Sequence, residues 1–243
     1  MLAIFKREFS AFFSSPIAYL VIGLFLLLSG LFLWVFGGPF NIPDYGFADL
    51  GNFFLLAPWV FLFLIPAITM KSIAEERRAG TIELLLIRPV PLSRIVAGKF
   101  LAAFGLVLVA LIPTILYGYT LGQLGTTPWN LDTGMLLGSY FGLLFLIANY
   151  AAIGIFISAL TDNQVVAFLG SLVLCFFFFY GFEAFATLFT DGDTVLFIQG
   201  LGMMARVENM ARGILDTRDI VYFLSLTLFF LYLATLQLKN LRR

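Results

Sequence analysis

The chain has 243 residues, of which 61% are hydrophobic and 12% are charged, and its mean hydropathy is +1.02. This composition excludes an ordinary water-soluble domain. The formal net charge is zero and histidine is absent, which argues against a basic nucleic-acid surface and against imidazole-based metal sites or proton relays. The one cysteine, Cys175, allows neither an internal disulfide framework nor a thiolate metal cluster.

The N-terminal residues predict a helix that lies in the membrane interface. Within residues 1–15, Leu2, Phe5 and Phe9 recur at helical spacing, while Lys6 and Arg7 fall on other faces. The alternative is a basic flank that serves only to orient the chain in the membrane.

Long stretches without charge predict membrane-spanning helices. A helix needs about 20 mostly apolar residues to cross a hydrocarbon core about 30 Å thick. The charge-free stretches are 17–43, 50–70, 100–131, 133–161, 163–182 and 220–238. The sequence therefore predicts an all-α, polytopic membrane protein whose residues 1–243 form a single transmembrane domain with six spans.

The distribution of lysine and arginine predicts the orientation. With the N-terminus in the cytoplasm, eleven basic residues lie on the cytoplasmic side, and only Arg206, Arg212 and Arg218 lie outside. The opposite orientation would leave the loops around 38–49 and 125–132 on the inner side with no basic residue. Both termini are thus predicted to be cytoplasmic, in a bacterial-type plasma membrane.

A charged segment at residues 71–90 separates the second and third spans and predicts a cytoplasmic hairpin. Gly80 allows a break after a first helix, Thr81 can cap a second helix with Glu83 in its first turn, and Pro89 ends that helix. We expect Glu76 and Glu83 to face the cytoplasm, where they can meet basic groups of a partner. The alternative is an inert basic loop.

Other polar and small residues mark positions within or near the spans. Gly134, Gly138 and Gly142 recur every four residues and predict close helix packing, within the chain or between subunits. Asn149 and Glu183 are possible intramembrane polar groups, although a solvated interfacial position is equally open for Glu183.

Residues 185–219 predict an extracytoplasmic segment that does not cross the membrane. The apolar run 194–205 is too short to span and is followed by alternating charges. We expect two short re-entrant or interfacial helices here.

The chain lacks the residues for catalysis of its own. Gly98 and Lys99 are followed by phenylalanine and do not form a phosphate-binding loop, and no catalytic triad is possible without histidine. We expect no catalytic residue, no metal site and no cofactor bound by this chain.

The run from Glu75 to Leu86, followed by Pro89 and Val90, resembles the signature of ABC-2 type transporter permeases, the membrane subunits of ATP-binding-cassette systems. The segment from Phe5 to Phe9 is similar to the interfacial helix of that family. The resemblance covers essentially the whole chain and is nearest to short permeases of the gliding-motility and nitrous-oxide-reductase-maturation type.

The resemblance implies that residues 71–90 form a coupling helix that docks on a separate ATPase subunit, which holds the ATP and magnesium. The implied coupling residues are Glu75, Glu76, Arg77, Arg78, Gly80, Thr81, Glu83, Leu84 and Pro89. It also implies a second permease, either an identical copy or a related subunit with a large extracytoplasmic domain.

The predicted function is that of a permease subunit that converts ATP hydrolysis on its partner into substrate export or conformational work. One alternative is a membrane scaffold that transmits force or a signal from an ATPase without moving a substrate. A less favoured alternative is an ion-coupled secondary carrier, which would need more ionisable groups near the membrane midplane.

Overall fold

A computed structural model describes residues 1–46, 49–83, 90–124 and 132–241. Leu84 and Pro89, together with the rest of the predicted second helix of the hairpin, lie outside the described residues. The helices are α1 (Leu2–Ser14), α2 (Pro16–Gly30), α3 (Ile42–Tyr45), α4 (Gly51–Thr69), α5 (Ala74–Arg78), α6 (Leu92–Leu111), α7 (Ile115–Leu124), α8 (Thr133–Leu160), α9 (Gln164–Phe176), α10 (Phe182–Ala186), α11 (Gly192–Gln199), α12 (Met203–Ala211) and α13 (Thr217–Leu241).

Six helical stretches are long and apolar enough to cross a membrane. They are Pro16–Trp34, Gly51–Arg78, Leu92–Leu124, Thr133–Leu160, Gln164–Ala186 and Thr217–Leu241. We call them spans one to six, but because the stretch Gly51–Arg78 includes the charged helix α5, span two below means its apolar helix α4 (Gly51–Thr69). No strand occurs in the described part of the chain. The predicted all-α architecture with six spans is confirmed.

The helices begin and bend where the local sequence requires it. Ser15 accepts a hydrogen bond from the backbone of Ile17, and Pro16 occupies the first position of α2, where its missing N–H costs nothing. Pro113 lies in a 3₁₀ turn at Ile112–Thr114 that joins α6 to α7 within span three. By contrast, α4 continues through Pro58 and Pro66 as one helix.

Span four is the central helix of the bundle. Helix α8 packs against α4, α6, α9, α12 and α13. Spans two and four are the most buried, whereas fewer than a third of the residues in spans one, five and six are buried. The core is rich in aromatic rings, for example Phe25 stacked on Phe61 with centroids 4.4 Å apart.

The bundle has two distinct ends. Ile73, Val96, Ala159 and Leu238 share a buried cluster at the end where α1 and the C-terminal turn of α13 lie, which we call the terminus-bearing end. Helices α3, α11 and α12 lie at the opposite end, where α12 packs on the first turns of α8. The charged segment after span two belongs to the terminus-bearing end.

Candidate functional site

The segment from Met70 to Glu83 is joined to span four by one serine. Helix α4 ends at Thr69, and α5 begins at Ala74 after a break. In that break, Ser158 Oγ accepts hydrogen bonds from the backbone nitrogens of Ile73 and Ala74, both at 3.0 Å, and donates one to the carbonyl of Met70 at 3.0 Å. The hydroxyl thus uses its whole hydrogen-bonding capacity on the break.

Arg77 strengthens the same connection. Its guanidinium donates to the carbonyl of Ala159 at 2.7 Å. This carbonyl lies in the last turn of α8, where helix carbonyls lack partners within their own helix. Arg77 is therefore directed into the permease, and it holds α5 against the end of span four.

Gly80 ends α5 in a turn that depends on glycine. Its φ is +68°, in the left-handed region that favours glycine. Thr81 N donates to Glu76 O at 3.0 Å and Gly80 N donates to Arg77 O at 3.1 Å, which together form a Schellman motif. The Thr81 hydroxyl bonds backward to the same Glu76 carbonyl at 3.3 Å. The tip of the segment is thus a defined turn.

The outer surface of this turn is open. Glu75, Arg78, Gly80, Thr81 and Glu83 are exposed, while Ile82 is buried in the apolar cluster at the terminus-bearing end. We call the five exposed residues the hairpin tip. The hairpin tip presents acidic, basic and polar side chains. The residues beneath it are held in place by the contacts of Ser158, Arg77 and Ile82.

A buried lysine organises the charges beneath the hairpin tip. The side chain of Lys99, from α6, is only 1% exposed. Its Nζ lies 3.2 Å from Glu8 Oε1, 3.0 Å from Glu76 Oε1 and 2.6 Å from the carbonyl of Ser72. These three acceptors match the three donors of an ammonium group. Lys99 therefore connects α1, the break after span two, and span three.

Arg7 closes the network on its outer side. Its guanidinium contacts the Glu8 carboxylate and lies 3.2 Å from Glu76 Oε1. The hydrogen bond to Glu8 raises the pKa of Arg7, with the Glu76 charge adding to that effect. We call Arg7, Glu8, Glu76 and Lys99 the ion-pair network.

The position of Glu76 corrects one expectation. The sequence predicted that its carboxylate would face the cytoplasm, free to meet a partner. Instead, Oε1 is held by Arg7 and Lys99, and the Glu76 side chain is 21% exposed. Glu83 does remain exposed, as expected. No sequence pattern distinguishes Glu76 from Glu83, since both carboxylates lie in a charged segment and Lys99 is distant along the chain.

The glycine stripe of span four, formed by Gly134, Gly138 and Gly142, packs against a helix of the same chain. A Cβ atom on Gly138 would lie 2.3 Å from the carbonyl oxygen of Met210, and one on Gly142 would lie 3.1 Å from Met210 Cβ. At the start of the stripe, Gly134 lies beside Gly213, just beyond α12. The stripe therefore allows α12 to pack closely on span four. The sequence predicted close packing but did not indicate which helix contacts the glycines.

The two polar residues singled out in the spans also serve packing within the chain. Asn149 is buried, and its Nδ2 donates to Phe145 O in its own helix and to Phe223 O in span six at 3.2 Å. Glu183 accepts a hydrogen bond from Gln199 Nε2 at 2.7 Å, which connects α10 with α11. Each side chain thus fixes one helix against another.

The segment 185–219 contains two short helices, α11 and α12, and no seventh candidate crossing was found among the described residues. Their re-entrant or interfacial position stays a prediction. Arg206 anchors α12 to span six, with Nη1 2.6 Å from Asp219 Oδ1 and the guanidinium carbon 4.2 Å from the centre of the Tyr222 ring. No spacing in the sequence indicates that Arg206 pairs with Asp219.

Comparison with known protein families decides the class of this protein. The sequence profile described as ABC-2 family transporter protein matches residues 2–237. The chain belongs to this family. It is therefore a permease component of an ABC transporter, a multi-pass membrane subunit that is not itself catalytic, and membership implies an ABC ATPase partner. A search of curated proteins found no match.

Proposed function

We propose that this ABC-2 permease binds a separate ATPase through the hairpin tip and converts its movement into rearrangement of the spans, for substrate export or other conformational work. The observation that carries the proposal is an exposed, defined turn whose base is fixed to several spans. An inert loop would not need the hydrogen bonds that its backbone donates to Ser158 and that its Arg77 donates to the carbonyl of Ala159.

The contacts beneath the hairpin tip could pass a movement of α5 on to the spans. A displacement of α5 acts on span four through Ser158 and Arg77, and on span three through the contact of Glu76 with Lys99. The same network includes Arg7 and Glu8 of α1. Movement at one turn would thus be distributed to two spans and to the N-terminal helix.

The proposal assigns ATP and magnesium to the ATPase and pairs this chain with a second permease. The second permease is another copy or a related subunit with a large extracytoplasmic domain, as in gliding-type systems. Spans one, five and six supply exposed apolar surface for such pairing and for lipid. Their exposed side chains include Leu20, Leu27, Leu169, Val173, Leu224 and Leu228.

The proposal requires the terminus-bearing end to lie in the cytoplasm of a cell whose plasma membrane holds the permease. We expect Arg78→Cys to be protected from an impermeant thiol reagent in intact cells and Asp44→Cys at the opposite end to react, in a Cys175→Ala background. Both positions are exposed, so a difference in labelling reports only the side of the membrane on which each position lies. Reaction of position 78 from outside, with position 44 protected, would reverse the orientation and remove the coupling proposal.

The function of the hairpin tip can be tested at Gly80. We expect Gly80→Pro to reduce co-purification of the ATPase at least tenfold, since proline cannot adopt a positive φ and lacks the N–H that bonds to Arg77 O. The measurement is a quantitative pull-down from cells that express the permease with the ATPase.

Gly46→Pro is the matched control. Gly46 also has a positive φ, of 76°, and donates its N–H to Ile42 O at 3.3 Å, but it lies at the opposite end. The Gly46→Pro variant should co-purify as much ATPase as the unmodified permease. Equal retention by both variants would show that the hairpin tip is not the docking surface.

A further inference from the structure

A cavity of about 370 Å³ lies between α1 and the region where span two meets α5. Its apolar walls include Phe12, Ile17 and Ile68. Ile17 is in the first turn of span one, and Ile68 is in the last turn of α4. Because both positions mark the ends of membrane-spanning stretches, the cavity lies at the level where lipid headgroups meet acyl chains.

The charged lining of this cavity carries both signs. Three carboxylates, of Glu8, Glu75 and Glu76, line it together with two ammonium groups, of Lys71 and Lys99. Arg7 contacts Glu76 from outside the cavity. A site with both signs side by side favours a zwitterionic group over a purely anionic or cationic one.

Two charged groups of the lining could still form a hydrogen bond or an ion pair with a ligand. Glu76 Oε2 is buried and accepts no hydrogen bond from the described residues, although Oε1 of the same carboxylate is held by two cations. Such an unpartnered buried acceptor favours a ligand that brings an N–H donor. Lys71 makes no ion pair within the described part of the chain, so it is free to contact a phosphate.

We propose that this cavity binds a phospholipid with a zwitterionic headgroup and a primary ammonium, of the phosphatidylethanolamine type. The ammonium lies between the Glu75 and Glu76 carboxylates, and a turn of the Glu76 carboxylate brings Oε2 to the cavity surface, where it accepts a hydrogen bond. The phosphate lies against Lys71, and the upper part of an acyl chain contacts Phe12, Ile17 and Ile68. Since the cavity touches α1, α4 and α5 together, the bound lipid forms part of the support beneath the hairpin tip.

Phosphatidylcholine provides a close comparison. It has the same net charge, but its quaternary ammonium has no N–H to donate. We expect dioleoyl-phosphatidylethanolamine to bind the purified full-length chain about tenfold more tightly than dioleoyl-phosphatidylcholine, a ratio that corresponds to about 1.4 kcal/mol. The measurement is a titration followed by native mass spectrometry. Equal affinity for the two lipids would overturn the proposal.

Two variants and one control locate the binding site. Glu76→Gln should abolish the preference between the two lipids, while Glu83→Gln, the same change on an exposed residue outside the cavity, should retain it. Ala11→Trp places a large side chain at the cavity wall, removes no member of the ion-pair network, and should reduce binding of phosphatidylethanolamine at least fivefold. Unchanged binding by Ala11→Trp would place the lipid elsewhere and refute the assignment, even if Glu76→Gln fails to fold.

Discussion

Replacing Lys99 by methionine should lower the free energy of unfolding by about 3 kcal/mol. Methionine retains the length of the side chain, but it leaves Glu8 and Glu76 without their shared cation and the carbonyl of Ser72 without its donor. Removing one partner of a buried ion pair is costly because the remaining charge stays poorly solvated. Unfolding of the purified protein in increasing dodecyl sulfate would measure the difference.

Lys6→Met is the matched control for this prediction. Lys6 lies on α1 and is exposed, so we expect a change within about 0.5 kcal/mol. The double variant Lys99→Met with Glu76→Gln should recover part of the lost stability, since it removes one of the charges left unpaired. If Lys99→Met unfolds like the unmodified protein, the ion-pair network does not stabilise the permease.

Gly138→Ala should destabilise the packing of α12 by about 2 kcal/mol. The added Cβ would lie 2.3 Å from the carbonyl oxygen of Met210 and 3.1 Å from Gly213 Cα. Both are backbone atoms, so a change of side-chain rotamer cannot relieve the clash, and α12 must move away from span four. We expect faster proteolysis within residues 203–213 and a lower melting temperature.

Gly23→Ala tests whether the effect is due to contact rather than to the loss of a helical glycine. A Cβ on Gly23, within α2, would meet no atom within 4 Å. The substitution should be neutral or stabilising by about 0.5 to 1 kcal/mol because alanine has the higher helix propensity. A similar loss of stability in both variants would contradict the role of Gly138 in close packing.

The sequence was sufficient for the architecture because the apolar stretches are long and the charges fall between them. The glycine repeat of span four likewise indicated close packing, and the apolar run at 194–205 is not among the candidate crossings of the described residues. These inferences depend on neighbours in the sequence or on a period along one helix. Such local signals survive in a single sequence.

The sequence was insufficient for contacts between distant segments. Ser158 lies 84 and 85 positions from the backbone nitrogens that it accepts from. Lys99 lies 91 positions from Glu8. A serine or a lysine near the end of an apolar helix is ordinary, and no spacing rule indicates its partner. For the same reason Glu76 and Glu83 looked equivalent, although only one lies beside Lys99.

The continuity of α8 has a consequence for how the two membrane faces communicate. This helix has 28 residues without a proline, which corresponds to a rod about 42 Å long. At one end it carries the hydroxyl of Ser158 and the carbonyl of Ala159 that hold α5, and at the other it carries the glycines on which α12 rests. If the ATPase displaces α5 as we propose, the displacement would reach α12 along this one helix, without a relay of separate helices.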